Sequence, residues 1–111
     1  MYQASSSYYN RTNQANAYLV KEIMEATPQK LLIKIYDFAI TNCQKHDMER
    51  TNRAIQELIN SLKFDDVTKE ISTGFLKLYL YCQEEMRKKN YEMVNKILTE
   101  LRDAWLKAFN M

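Results

Sequence analysis

Few side chains in this sequence could carry out chemistry. The 111 residues hold one histidine, His46, and two cysteines, Cys43 and Cys82. Zinc needs a set of closely spaced nitrogen and sulfur ligands, and two isolated cysteines with one histidine fall short of four. The carboxylate-bridged metal sites of helical bundles need inward glutamates and a Glu-x-x-His spacing. Here Cys43 stands three residues before His46, where that glutamate would be. His46 has no Asp or Glu placed to orient it, so it is expected as a surface or junction histidine. A phosphate-binding loop or a nucleophile elbow requires clustered glycines, and the chain has one glycine in all. No catalytic residue, metal or cofactor is expected, and the chain does not read as an enzyme.

The elements behind these residues explain the scarcity. One glycine and one proline are too few for the frequent turns of an all-β fold. Apolar residues at 46% and charged residues at 27% are ordinary for a folded domain. An all-helical fold is what remains. The net charge of +2 is too small to suggest nucleic-acid binding, and the run Arg87-Lys88-Lys89 reads as a solvated helix end. A helix-turn-helix reader would want a strongly basic recognition helix, whereas "YEMVNKILTELRDAW" alternates in sign. No apolar run approaches the ~20 residues that span a membrane. With no signal peptide in view, Cys43 and Cys82 are expected as small buried thiols in a reducing cytoplasm.

Residues 1–16 are polar and dotted with tyrosines, the composition of a mobile arm. "AYLVKEIMEA" follows and places Leu19, Ile23 and Met24 on one face of a short flap helix. The arm and flap occupy 1–26, and the bundle 27–111. Thr27 can cap the first bundle helix while Pro28 takes its first position, where a missing N–H costs nothing. Proline also disfavours the helical conformation at Thr27, so flap and bundle cannot merge into one helix.

Four amphipathic stripes follow. The first carries Leu32, Ile35, Tyr36, Ala39 and Cys43, and the second Met48, Thr51, Ile55, Leu58, Ile59 and Leu62. The third carries Ile71, Phe75, Leu78, Cys82 and Met86, and the fourth Val94, Ile97, Leu98, Leu101, Trp105 and Ala108. Breaks fall near Lys45-Asp47, Lys63-Val67 and Lys89-Tyr91, and connections this short predict an antiparallel up-down four-helix bundle. At the first break, "CQKHDMER" offers only Asp47 as an N-cap, and the alternative is one long, domain-swapped helix.

Some apolar residues fall off these stripes. At ~100° per residue, Leu76 and Leu80 lie almost opposite Phe75, Leu78 and Cys82, with Tyr79 on their flank. On the first helix Ile33 and Ile40 widen one flank, and Leu31 and Phe38 the other. Such surface is wrapped by the 1–26 arm, reserved for a partner helix, or covered by the first until the second displaces it.

Several pieces of the chain resemble the family of flagellin export chaperones known as FliS. They are Ala17-Tyr18, Thr27-Pro28 leading into Leu31-Leu32, and the run Ile35-Tyr36-Asp37-x-Ala39-Ile40. Glu70-Ile71, Leu78-Tyr79-x-Tyr81 and Leu101-Arg102-Asp103-Ala104-Trp105 follow in order. The chain departs from the family pattern in three ways: the first and second helices are shortened around "CQKHDMER", Val67-Thr68-Lys69 replaces a usual glycine pair, and Leu80 replaces an acidic residue.

The resemblance implies a cytoplasmic, non-enzymatic chaperone. Its client would be the disordered C-terminal segment of flagellin, which folds as helices on the chaperone's apolar surface and is thereby kept from polymerising too early. Leu31, Ile33, Phe38, Leu76, Tyr79 and Leu80 are the expected client contacts. Tyr18 is the expected contact to a flagellar export-gate component, by resemblance alone; its alternative role is to pack the flap onto the bundle. Nucleic acid and membrane insertion are not expected. Self-association through the same apolar faces, giving a homodimer, is the alternative function.

Overall fold

A computed structural model describes residues 28–111. The arm of residues 1–26, and with it Tyr18, lies outside the described residues. Four helices follow one another: α1 (Pro28–Gln44), α2 (Met48–Asn60), α3 (Lys69–Arg87) and α4 (Tyr91–Ala108). Leu32–Met111 is one compact unit; of the residues before it, only the first turn of α1 is described.

The helices stop where local chemistry stops them, without glycine. After α1, His46 takes a left-handed backbone, φ 59°, while its N–H reaches the Cys43 carbonyl and the Asp47 N–H reaches that of Asn42. These two bonds close the helix end in the form that usually recruits glycine. The same pattern recurs at Lys89, φ 64°, with the Asn90 N–H on the Glu85 carbonyl, and at Asn110, φ 58°, with Met111 on Leu106. Asp47 then starts α2, its carboxylate accepting the Arg50 N–H at 3.0 Å. One residue thus closes α1 and opens α2, and the two helices are separate.

Contacts along the helices fix their antiparallel order. Near the start of α2, the Asn52 side chain donates to the Gln83 carbonyl and the Gln83 side chain to the Asn52 carbonyl, each at 3.1 Å. That pair ties the beginning of α2 to the end of α3. Arg102, late in α4, bridges to Asp37 on α1. Inside lie Tyr36, Ala39, Cys43, Ile55, Leu58, Cys82, Met86, Val94 and Leu98, all with no exposed surface. All nine belong to the four amphipathic stripes.

The third stripe is rotated from its expected position. Ile71, expected inside, is 66% exposed, whereas Tyr79, expected on an outer flank, is 2% exposed. Ser72, Gln83 and Glu85 are buried polar residues that a search for apolar periodicity passes over. Weighting them turns the inner face of α3 by about 50° at 100° per residue. The hydrogen bonds of Gln83 to α2 and of Tyr79 to α1 hold that rotation.

Candidate partner-binding surface

The buried polar groups leave little reactivity. The Tyr36 and Tyr79 hydroxyls share a 2.6 Å hydrogen bond, and the Trp105 indole N–H donates to Tyr36 Oη at 3.2 Å. Burial raises the pKa of both phenols; for Tyr79 the neighbouring Tyr36 adds to the rise. Cys43 and Cys82 are free and buried. Burial, then the proximity of Cys43 and Glu85, pushes the Cys82 thiol up to about 12. Burial also raises Cys43, whose Sγ lies 3.3 Å from the Tyr91 carbonyl oxygen. Both therefore stay as thiols at neutral pH, and a thiol without its thiolate is a poor nucleophile. His46 stacks on Tyr91 with ring centroids 4.1 Å apart, which gives it a packing role at a helix junction. Among the described residues no three His, Cys, Asp or Glu side chains gather as a metal site.

What the bundle holds out to solvent is apolar. On α1, Phe38 is 52% exposed and Leu31 39%, with half-buried Ile35 between them at helical spacing. This flank lies away from Asp37, the residue that marks the α4 side through Arg102. On α3, Leu80 is 49% exposed and Leu76 half-buried one turn before it. Leu76 and Leu80 sit beside the edge where Gln83 meets α2, and so flank the core-facing side of α3 without opposing it.

Two of the six expected contacts are placed differently. Ile33 is buried and Tyr79 is inside the core, bonded to Tyr36, so neither offers a free side chain on the outer faces. The Tyr79 ring does form part of the wall of a groove. That groove, about 270 Å³, opens at the end of the bundle where α2 passes into α3, and Leu32, Leu62, Ile71, Phe75, Tyr79 and Trp105 line it. Phe75 stacks on Trp105 at 5.5 Å and on Tyr79 at 5.8 Å, which makes its floor aromatic. Phe64 and Val67 in the adjoining link are 49% and 88% exposed. Sequence periodicity could not find this groove, because its walls come from three helices, α1, α3 and α4, and from the α2–α3 link, and meet only in the fold.

A four-helix bundle with unreactive buried thiols and phenols, and with apolar side chains held out to solvent, is a protein-binding module. A family model for the flagellar protein FliS matches residues 11–111. The chain belongs to the FliS family, and so to the flagellar export chaperones rather than to an enzyme family. No curated protein and no solved structure matches the chain. No helix among the described residues is long and apolar enough to cross a membrane.

Proposed function

We propose that this protein is a cytoplasmic chaperone that binds the disordered C-terminal segment of flagellin on its exposed apolar surface. Binding there keeps flagellin from polymerising before export and carries it to the flagellar export apparatus. Family membership across residues 11–111 carries the reading. The structure adds surface of the right character: Leu31 and Phe38 on α1, Leu76 and Leu80 on α3, and the aromatic groove at the bundle end. An amphipathic client helix would lay its apolar face on such side chains. The groove has room for a large client side chain, with the Tyr79 ring as part of its wall. Ile33 supports α1 from within. Tyr18 is the proposed contact to the export gate.

Because the client orders as it binds, some interaction free energy is spent on that ordering, and affinity rests on large apolar contacts. Titration with a flagellin C-terminal peptide is expected to raise helical circular dichroism above the sum of the two components. A flat signal together with no binding at micromolar concentrations defeats the proposal. The gate contact is tested separately, by pull-down of the export-gate component with client-loaded Tyr18→Ala protein. Capture equal to wild type removes Tyr18 from that role.

A further inference from the structure

Three sulfur atoms come together where α1 and α3 end. Cys43 is the next-to-last residue of α1 and Met86 the next-to-last of α3, and Cys43 Sγ stands 3.8 Å from Met86 Sδ. Cys82 lies one helical turn before Met86 and shares its face of α3. All three have no exposed surface and belong to one core cluster. The charge of Cys43 is felt at Cys82, which sets the second thiol near the first. A single buried thiol needs no role beyond packing. Three sulfurs at this spacing are a set of ligands, and nothing in the chaperone reading uses them.

The donor set selects a soft ion. Thiolate and thioether sulfurs favour Cu(I), whereas calcium and magnesium take oxygen ligands. Zinc would need a fourth donor, and among the described residues no carboxylate or imidazole joins the two cysteines as a third ligand. A trigonal ion with metal–sulfur bonds of about 2.3 Å holds its sulfurs about 4 Å apart, close to the 3.8 Å between Cys43 and Met86. Such an ion would take the space of the thiol hydrogens, so no large cavity is required. We propose that Cys43, Cys82 and Met86 form a binding site for one Cu(I) ion, which ties the end of α1 to the end of α3. Binding breaks both S–H bonds and forms two copper–thiolate bonds and one copper–thioether bond. Two protons leave to solvent, and no electron is transferred. The site then carries one net negative charge. It lies against the start of α4, where the Asn95 backbone N–H favours an ionised Cys43. The neighbouring Glu85 carboxylate is already engaged by Asn90 and Lys88. In the reducing cytoplasm proposed above, copper is held as the monovalent ion. Entry requires two helix ends to fray, which is far less than unfolding the bundle.

Anaerobic titration of the full chain with Cu(I), in competition with the chromophoric chelator bicinchoninate, tests it. Wild-type protein is expected to take one ion per chain and to gain a thiolate-to-copper absorption in the ultraviolet. Its melting temperature is expected to rise, because the ion binds the folded state. X-ray absorption is expected to count three sulfur neighbours at about 2.3 Å. Cys43→Ala and Cys82→Ala are each expected to lose about a hundredfold or more in affinity, beyond the cost of losing a supporting partner. Met86→Leu conserves volume, so its core stays packed, and it is expected to bind about tenfold more weakly with two sulfurs left on the ion. Melts without metal show that each variant is folded. The proposal is overturned if wild type takes no ion from the chelator, or if either cysteine variant binds as wild type does. It is also overturned if Met86→Leu keeps three sulfurs on the ion. A fall in the wild-type melting temperature with Cu(I) overturns it too, since that marks capture by thiols of the unfolded chain. None of these measurements involves flagellin, so they stand apart from the client reading.

Discussion

The two ends of the bundle are built on different principles. At one end α1 meets α2 and α3 meets α4 through three-residue junctions, and polar contacts join the junctions to each other. His46 stacks on Tyr91 and Cys43 reaches the Tyr91 carbonyl from one junction to the other, and within the α3–α4 junction Asn90 donates to Glu85 at 2.7 Å. At the other end the longer α2–α3 link is held by its own backbone. Asp65 accepts hydrogen bonds from Val67 and Thr68, while Ser72 ties back to the Lys63 carbonyl. Beside that link Phe64, Val67 and Ile71 are exposed, next to the aromatic groove. Polar closure marks the first end, and exposed apolar side chains of the link mark the second. The separation matters for a chaperone, which must expose apolar side chains without their loss or coverage unfolding it.

The largest expected effect breaks the buried core. Ile55, fully buried beside Leu58 in the core, is expected to cost about 2–5 kcal/mol when changed to Ala, from lost burial and the cavity left behind. Chemical denaturation reads this as a lower midpoint. An effect below about 1 kcal/mol would mean that the core closes over the gap and is looser than its burial suggests.

Next in size is a response to pH, with opposite signs in the two regions. The Cys82 thiol ionises near 9 in the unfolded chain and is raised to about 12 in the fold. Below pH 9 both states hold the proton, and the thiol adds no pH dependence. As pH rises above 9 the unfolded chain releases its proton first, and stability falls. Tyr36 and Tyr79, raised from 10.0 chiefly by burial, act in the same direction at higher pH. Asp65 at the open end is lowered from 3.8 by its bonds to Thr68 and Val67, so its contribution is present at neutral pH and is lost as pH falls below about 4. Thermal melts across pH are expected to show an alkaline decline that weakens in Cys82→Ala. An acid decline is expected to weaken in Asp65→Asn.

A smaller effect tests the junction that the sequence left most open. Asp47→Ala removes the cap of α2 and is expected to cost about 1 kcal/mol. The helical pattern made two readings of "CQKHDMER" available, separate helices or one long swapped helix. Neither glycine nor proline was there to decide between them. What decides is His46 in a left-handed backbone, which a side-chain pattern does not encode. The rest of the bundle was legible because Tyr36, Ile55, Leu58 and Leu98 obey helical periodicity. The phase of α3 was legible only in part: Gln83 is buried for the sake of the Asn52 backbone, and Tyr79 for the sake of the Tyr36 hydroxyl. Both partners lie on other helices, beyond the reach of local spacing. The groove was invisible for the same reason, and the exposed flank of Leu31 and Phe38 was visible because it lies on one helix.

On the exposed apolar surface the expected result reverses, with little change in stability and a large change in binding. Leu80→Asp and Ile71→Asp alter exposed side chains, so each is expected to shift stability by no more than about 0.5 kcal/mol. Both are expected to weaken flagellin-peptide binding about tenfold, because a carboxylate must then be desolvated under the client. Isothermal titration beside a thermal melt measures both quantities. If Leu80→Asp instead lowers the melting temperature as Ile55→Ala does, Leu80 belongs to the core packing.

The smallest expected effect compares two residues within the closed end. His46 and Lys89 both sit in the left-handed region, at equivalent positions after α1 and α3. That backbone costs a side-chain-bearing residue roughly 1–2 kcal/mol, and glycine nearly nothing. Lys89 makes no ring contact among the described residues, so Lys89→Gly is expected to stabilise the fold by about 1 kcal/mol. His46→Gly recovers the same backbone strain but gives up the stack on Tyr91, worth about 0.5–1.5 kcal/mol for an aromatic pair. Its melting temperature is therefore expected to stay near wild type while that of Lys89→Gly rises. Equal gains from the two would show that the stack contributes nothing. The closed end would then be held by its helix-closing hydrogen bonds and buried side chains, with His46 in its junction for want of a glycine.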